Sequence, residues 1–146
     1  MDEKNAQEAL VAIRAVQGRM ARRARWSLAR HAAFGVAMGG LVASYALPFR
    51  QALGGLALCL LLAAAIARWD RRRDGFFING YRAGATRPIT IAIGLFTMAA
   101  LIVAIAFKER WSWSPLFAGL VVLVAATLGS IAWERAYRRE LESGHR

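Results

Sequence analysis

Charged residues are missing from four long stretches of this 146-residue chain, although 20% of all its residues are charged. The uncharged stretches cover 31–49, 51–67, 88–107 and 111–133. A soluble domain spreads charges over its whole surface, and a disordered basic tail has far fewer apolar residues than the 58% found here. The segregation of charge excludes both classes and indicates an integral membrane protein.

Histidine and cysteine are scarce, with two histidines, His31 and His145, and one cysteine, Cys59. One cysteine cannot form an intrachain disulfide, and zinc, haem and iron–sulfur sites need more ligands of these types. We therefore expect no metal and no cofactor. Asp, Glu, Lys and Arg are also absent inside the four stretches, where coupled carriers usually keep an ionisable residue. No serine–histidine or paired-carboxylate arrangement is evident, so the sequence predicts no catalytic residues and a protein that is not an enzyme.

The four uncharged stretches have the length of membrane-spanning helices. They contain 19, 17, 20 and 23 residues, and a hydrocarbon core of about 30 Å needs roughly 20 helical residues. Tryptophan side chains favour the headgroup region, and all five lie near the ends of the stretches: Trp26, Trp69, Trp111, Trp113 and Trp133. We predict an all-α integral membrane protein with four transmembrane helices, arranged as two tandem hairpins.

The basic residues predict the orientation of this four-helix bundle. Arginine and lysine number 17 before the first stretch, in the central loop and in the tail, against 3 in the two remaining turns. By the positive-inside rule, both termini and the central loop are cytoplasmic. The arginine-, alanine- and glycine-rich composition favours a bacterial source and hence the inner membrane. The predicted parts are an N-terminal helix (1–30), a first hairpin (31–67), a basic loop (68–88), a second hairpin (89–133) and a tail (134–146).

Residues 1–30 are predicted to form a basic amphipathic helix, because Leu10, Ile13, Val16 and Met20 recur at three- and four-residue steps. Two placements stay open. The helix lies on the inner leaflet, where anionic lipids attract its arginines, or it packs against another helix of this chain or of a partner. Nucleic-acid binding is disfavoured, because a helix held at the membrane surface hardly reaches bases or phosphates.

Small residues in the stretches predict close helix packing, since apolar helices associate in lipid through close backbone contact. We expect the first such contact between the first two helices, which a short turn joins. A homo-oligomeric interface is the alternative use of the same residues. The candidate packing residues are Gly35, Gly39, Ala43, Gly54, Gly55, Ala125 and Gly129.

The central loop combines a basic run with the apolar sequence Phe76-Phe77-Ile78. Exposed apolar residues of this kind are usually covered, here by the inner leaflet or by protein. Arginine and tyrosine side chains can hold an anionic headgroup or phosphate. An ordinary orientation signal with an interfacial anchor and a protein-docking surface are the alternatives. The candidate lipid or anion contacts are Arg71, Arg72, Arg73, Tyr81, Arg82 and Arg87.

The sequence Trp–acid–Arg occurs twice, as Trp69-Asp70-Arg71 and as Trp133-Glu134-Arg135, at the ends of the second and fourth stretches. Two interpretations are open. Either the hairpins arose by duplication, or tryptophan and arginine mark two exits of the chain to the cytoplasm.

These features predict a small, non-enzymatic inner-membrane protein that acts as an accessory, scaffold or regulatory subunit. The expected partners are membrane lipids with anionic headgroups and a protein partner or a second copy of the chain, and no nucleic acid. The alternative is a small oligomeric transporter or channel. A polar track facing the bundle interior would favour transport, whereas a dry interior packed by alanine and glycine would favour the scaffold.

Overall fold

The computed structural model describes residues 5, 7–12, 15–16, 26–74 and 84–143. These residues are mainly helical and include no strand, which confirms the all-α prediction for this part of the chain. A short 3-10 turn, Ser44–Ala46, separates the first two of four long helices. The helices are α1 (Leu28–Ala43), α2 (Phe49–Asp74), α3 (Arg87–Phe107) and α4 (Ser114–Ser143).

Three of these helices are long and apolar enough to cross a membrane. The qualifying segments are Phe49–Arg72, Arg87–Phe107 and Ser114–Leu141, and they contain most or all of the second, third and fourth uncharged stretches. The chain is therefore an α-helical membrane protein with three candidate spans among the described residues. Helix α1 has 16 residues and is shorter than these segments.

Local features at both ends explain the length of α1. The Ser27 hydroxyl accepts a hydrogen bond from the Arg30 backbone N–H at 3.3 Å and caps the start of the helix. At the other end, the Ser44 hydroxyl donates to the Gly40 carbonyl at 2.7 Å, and the backbone tightens into the 3-10 turn. Pro48 follows, and proline disfavours helical geometry in the residue before it. The helix consequently ends before its uncharged stretch does.

Helix α1 lies at the centre of the bundle. It packs most extensively against α4 and also contacts α2 and α3, whereas α3 packs mainly against α4. Val42, Ala104 and Val122, from α1, α3 and α4, form a fully buried cluster. The extensive contacts of α2 are with α1 and the 3-10 turn. As a result, α2 and α3 flank α1 without packing extensively on each other.

The last residues before α3 contact the final turns of α4. The Ala85 backbone N–H donates to Glu140 Oε2 at 3.2 Å, and Thr86 is fully buried. A Cβ on Gly84, whose φ is 156°, would lie 2.7 Å from the same carboxylate, so this approach requires glycine. These contacts lie where α1 and α3 begin and α2 and α4 end, which we call the basic end of the bundle.

The amphipathic N-terminal helix stays a prediction. Residues 7–12 are helical and exposed. Ile13 and Met20, on which the predicted apolar stripe depends, lie outside the described residues, as does the apolar part of the central loop.

Candidate functional site

Polar and aromatic side chains of α1, α2 and α4, with Trp26 just before α1, meet at the basic end. We call this cluster the clasp. Its members are Trp26, Arg30, His31, Asp70, Ser130, Trp133, Glu134 and Tyr137.

His31 joins α1 to α4 through both nitrogens of its ring. Nδ1 lies 2.8 Å from Ser130 Oγ, and Nε2 lies 2.9 Å from Glu134 Oε2. Ser130 and Glu134 are one helical turn apart, so a single ring reaches both. His31 is 3% exposed, and these two partners remove the cost of burying unpaired ring nitrogens.

Arg30 joins α1 to α2. Its Nε donates to Asp70 Oδ1 at 2.9 Å and to Oδ2 at 3.1 Å, and its Nη2 also pairs with Oδ2. This two-pronged geometry fixes the relative position of the two side chains more tightly than a single contact would. The Arg30 guanidinium carbon also lies 3.4 Å from the centroid of the Trp26 ring, which is a cation–π contact.

A stack of three aromatic rings completes the clasp. The Trp26 and Trp133 rings are 5.3 Å apart and 14° from parallel, and the Trp133 and Tyr137 rings are 5.4 Å apart and 19° from parallel. Trp133 Nε1–H donates to Thr90 Oγ1 at 3.1 Å, which connects α4 to α3. The clasp therefore ties all four helices together at one end of the bundle.

The tryptophans fall into two groups in the structure. Trp69, Trp111 and Trp113 are exposed near the ends of the bundle, as the headgroup interpretation requires. Trp133 is buried in the aromatic stack. Its position at the end of an uncharged stretch therefore reflects packing within the protein rather than anchoring in the headgroup region.

Ser130, His31 and Glu134 have the connectivity of a nucleophile, a base and a carboxylate that orients the base. The sequence analysis found no serine–histidine arrangement, because 99 residues separate His31 from Ser130. Acyl transfer also needs N–H donors beside the nucleophile to stabilise an oxyanion. The amides around Ser130 lie inside the continuous helix α4, where each donates to a carbonyl one turn earlier. We interpret the trio as a polar connection between helices.

A cavity of about 400 Å³ lies beside the clasp. This volume is within the usual range of small-molecule sites. All four helices contribute to its walls. The lining residues are Trp26, Arg30, Phe34, Met38, Ala63, Ile66, Ala67, Asp70, Thr90, Ile93, Gly94, Ser130 and Trp133.

Three of the six candidate lipid or anion contacts have described side chains. Arg71 and Arg72 are exposed at the end of α2, and Arg87 is exposed at the start of α3. All three therefore lie at the basic end. Tyr81 and Arg82, and the side chain of Arg73, lie outside the described residues.

Gly35, Gly39 and Ala43 pack against α4, whereas the sequence analysis expected the first close contact between the first two helices. A Cβ on Gly39 would lie 2.5 Å from the Gly119 carbonyl oxygen, and one on Gly119 would lie 2.7 Å from Ala43 Cβ. Gly119, which the sequence analysis did not select, supplies the matching small surface. The closest backbone approach of α1 is consequently to α4, although α2 is its neighbour in the chain.

The remaining packing candidates differ in their surroundings. A Cβ on Gly55 would lie 2.5 Å from Ser44 Oγ, and one on Gly129 would lie 2.7 Å from Ile93 Cδ1. Ala125 is half-buried. Gly54 is the exception, since a Cβ there would meet nothing within 4 Å. It is one residue from Gly55 and so lies on a different face of α2, which none of the described helices covers.

The hydroxyl groups deeper in the bundle bond to their own helices. Thr97 Oγ1 donates to the Ile93 carbonyl and Thr127 Oγ1 to the Leu123 carbonyl, both at 2.8 Å. This is the usual arrangement of threonine in apolar helices. In the part of the chain that the structure describes, no line of polar side chains continues from the clasp to the opposite end.

The charged members of the clasp were not selected from the sequence. Arg30, Asp70 and Glu134 flank uncharged stretches, and charges at such positions are expected as orientation signals. The available signal was the repeated Trp–acid–Arg sequence beside the adjacent pair Arg30-His31. No family model matches the chain, and no curated protein or solved structure matches it.

Proposed function

We propose that this chain is a non-enzymatic, four-span protein of the bacterial inner membrane that acts as an accessory, scaffold or regulatory subunit. Helix α1 is the additional span. Its 16 residues rise about 24 Å, and the three residues of the 3-10 turn add about 6 Å. The total is comparable to a hydrocarbon core of about 30 Å. Both termini and the basic end then lie in the cytoplasm, in line with the distribution of arginine.

The observation that carries this proposal is the close contact between α1 and α4. At Gly35, an added Cβ would lie 2.6 Å from the Leu123 carbonyl oxygen and still closer to Thr127 Oγ1. Backbones that approach this closely leave no room for a water-filled path between them. The hydroxyl of Thr127 is already bonded within its own helix. Close packing between these two helices supports a scaffold rather than a transporter.

Helix α2 offers the surface through which such a scaffold acts. Only 6% of the apolar window in its candidate span is buried, against 11% for α3 and 28% for α4. Leu53, Leu58, Leu60 and Leu61 are all exposed on it. We propose that a partner membrane protein or a second copy of this chain packs there, and that anionic lipids contact the arginines at the basic end.

Photo-crosslinking in the native membrane tests this assignment. A photoreactive residue at Leu58 on α2 should give a discrete protein adduct, either with a second copy or with a partner. The matched control is Ile102 on α3, which is 60% exposed against 68% for Leu58. Adducts with lipid alone at both positions would contradict the scaffold proposal.

Solute flux separates the scaffold from the oligomeric transporter or channel. Protein reconstituted in vesicles at high density, where oligomers form, should not raise the leakage of potassium or of a small dye above that of protein-free vesicles. Flux that saturates with solute concentration, or flux that occurs without any other protein, would favour the transporter and would contradict the scaffold proposal.

A further inference from the structure

The cavity beside the clasp is polar at one end and apolar at the other. Its polar lining includes Arg30, Asp70 and Thr90, which lie near the basic end of their helices. Its apolar lining includes Phe34 and Met38, which follow Arg30 along α1. The eight steps from Arg30 to Met38 correspond to about 12 Å along the helix axis. The gradient of polarity therefore runs along the axis of the bundle, as it does in one leaflet of a bilayer.

The cavity is not fully enclosed on the sides that α2 and α3 form. Its walls on α2 and α3 include Ala63 and Gly94, both of which are exposed. The two helices do not pack extensively on each other. A gap between two membrane-spanning helices faces the hydrocarbon region, so its occupant comes from the bilayer and must have an apolar part.

Two arginines give the opening a positive rim. Arg87 lies three residues before Thr90 on α3, and Arg71 lies four residues after Ala67 on α2, so each is one helical turn beyond a lining residue. Both are exposed. Within the cavity, Asp70 is paired with Arg30 and does not add an uncompensated negative charge. The positive charges of Arg71 and Arg87 favour an anionic headgroup over a zwitterionic one.

We infer that this cavity binds an anionic phospholipid of the leaflet at the basic end, with one acyl chain between α2 and α3 and the phosphate near Arg71 and Arg87. The inference rests on the proposed function, in which anionic lipids contact this end of the protein, and it assigns those contacts to a defined site. The polarity gradient and the charge both match an amphiphile that is already present in the membrane.

Gly94 and Gly54 provide a matched pair of variants. A Cβ at either position meets nothing within 4 Å, so both positions have space beside the backbone for the start of a side chain. Gly94 lines the cavity, whereas Gly54 does not. Gly94→Leu fills the space that the acyl chain requires, and Gly54→Leu adds the same side chain elsewhere. Ala63→Leu narrows the cavity independently from the opposite wall.

The experiment is native mass spectrometry of protein purified from nanodiscs that contain phosphatidylglycerol and phosphatidylcholine with identical chains. Wild type and Gly54→Leu should retain a single phosphatidylglycerol. Gly94→Leu and Ala63→Leu should retain roughly tenfold less, as expected when a bulky side chain occupies a close-packed site. The melting temperature of each variant in detergent shows whether it is folded. If Gly94→Leu does not fold, Ala63→Leu tests the cavity in its place.

Several outcomes overturn the inference. Unchanged retention in both cavity variants would exclude an acyl chain from this cavity. Equal retention of phosphatidylcholine, or of palmitate added alone, would exclude recognition of an anionic phospholipid. If the cavity variants retain lipid but Arg71→Gln with Arg87→Gln does not, the inferred site fails while the anionic-lipid contacts of the proposed function stand. If neither the cavity variants nor Arg71→Gln with Arg87→Gln changes phosphatidylglycerol retention, both the inferred site and the proposed anionic-lipid contacts are contradicted.

Discussion

Helices α1 and α2 come from two neighbouring apolar stretches of similar length, yet they have opposite surroundings. Helix α1 packs against three other helices and buries Ala37 and Val42. Helix α2 contacts mainly α1, and only 6% of the apolar window in its candidate span is buried. What separates them is where glycine lies, since Gly39 meets the backbone of α4 while Gly54 meets nothing.

The largest expected effect comes from disrupting the close contact between α1 and α4, which α2 does not have. A leucine in place of Gly39 would collide with the Gly119 carbonyl oxygen and the Leu123 backbone nitrogen, which lie 2.5 and 2.9 Å from the added Cβ. Backbone atoms cannot move aside as side chains do, so we expect Gly39→Leu to lower the free energy of unfolding by about 3 kcal/mol. Thermal unfolding in detergent measures the loss.

Gly54→Leu is the control for this substitution. It adds the same side chain to an apolar helix where a Cβ has no neighbour within 4 Å, so its melting temperature should match that of the wild type. Equal losses in the two variants would mean that the contact between α1 and α4 is not the one that stabilises the bundle.

The second prediction concerns the clasp on the side of α4. His31→Ala leaves Ser130 Oγ and Glu134 Oε2 without the ring that bonds both of them. Ser130 Oγ then loses its partner on α1, and Glu134 Oε2 keeps the Trp26 backbone N–H at 3.3 Å. Losing these buried polar contacts costs about 2 kcal/mol, and thermal unfolding should show this loss. The effect should be smaller in a Glu134→Ala background, because the partner is already missing. Additive losses would indicate that the two residues act independently.

The third prediction concerns the clasp on the side of α2. Asp70→Asn removes the charge that pairs with Arg30, in a pair whose side chains are only 11% and 18% exposed. The asparagine carbonyl can still accept one hydrogen bond, so we expect a loss of about 1.5 kcal/mol. Cys59 reports on the result locally, because its Sγ lies 2.9 Å from the position of a Cβ on Gly40 of α1. A membrane-permeant maleimide should label Cys59 faster in Asp70→Asn than in Asp74→Asn. Equal labelling rates of Cys59 in the two variants would mean that the ion pair does not hold α2 in its position against α1.

The repeated Trp–acid–Arg motif shows how much of the clasp could be predicted from the sequence. Asp70 and Glu134, its two acidic residues, contact Arg30 and His31, which are adjacent on α1. The repeat was visible, but its partners were not, because nothing in the spacing indicates that α1 lies between α2 and α4. Trp69 is 70% exposed while Trp133 is 8% exposed, so the two copies also differ in their surroundings.

The fold was more predictable than the site for a physical reason. Segments free of charge and long enough to cross a bilayer are identified by composition, which needs no partner. Which faces of those segments meet depends on pairs of small residues on different helices, such as Gly39 and Gly119. The length of α1 depended on a single hydroxyl, that of Ser44, and on the proline that follows. Pairings of this kind cannot be predicted from the sequence of any one segment.

The smallest expected effect concerns Arg82 and Arg87, the last two arginines of the central loop in the sequence. If they act as point charges beside the headgroup region, Arg82→Lys with Arg87→Lys preserves the interaction, and phosphatidylglycerol retention should equal that of the wild type. Lysine cannot reproduce the planar, two-pronged donor of arginine. A clear loss of retained lipid would therefore indicate a specific phosphate site instead of a charged rim.

The central claim is that α1 crosses the membrane, and labelling of introduced cysteines tests it most directly. In a Cys59→Ala background, single cysteines replace Asp2, Asn79, Ser112 or Ser143, and intact cells are treated with an impermeant thiol reagent. Four spans predict labelling at residue 112 and protection at residues 2, 79 and 143. Labelling at residue 2 together with protection at residue 143 would place the termini on opposite sides, leave three spans, and contradict the account.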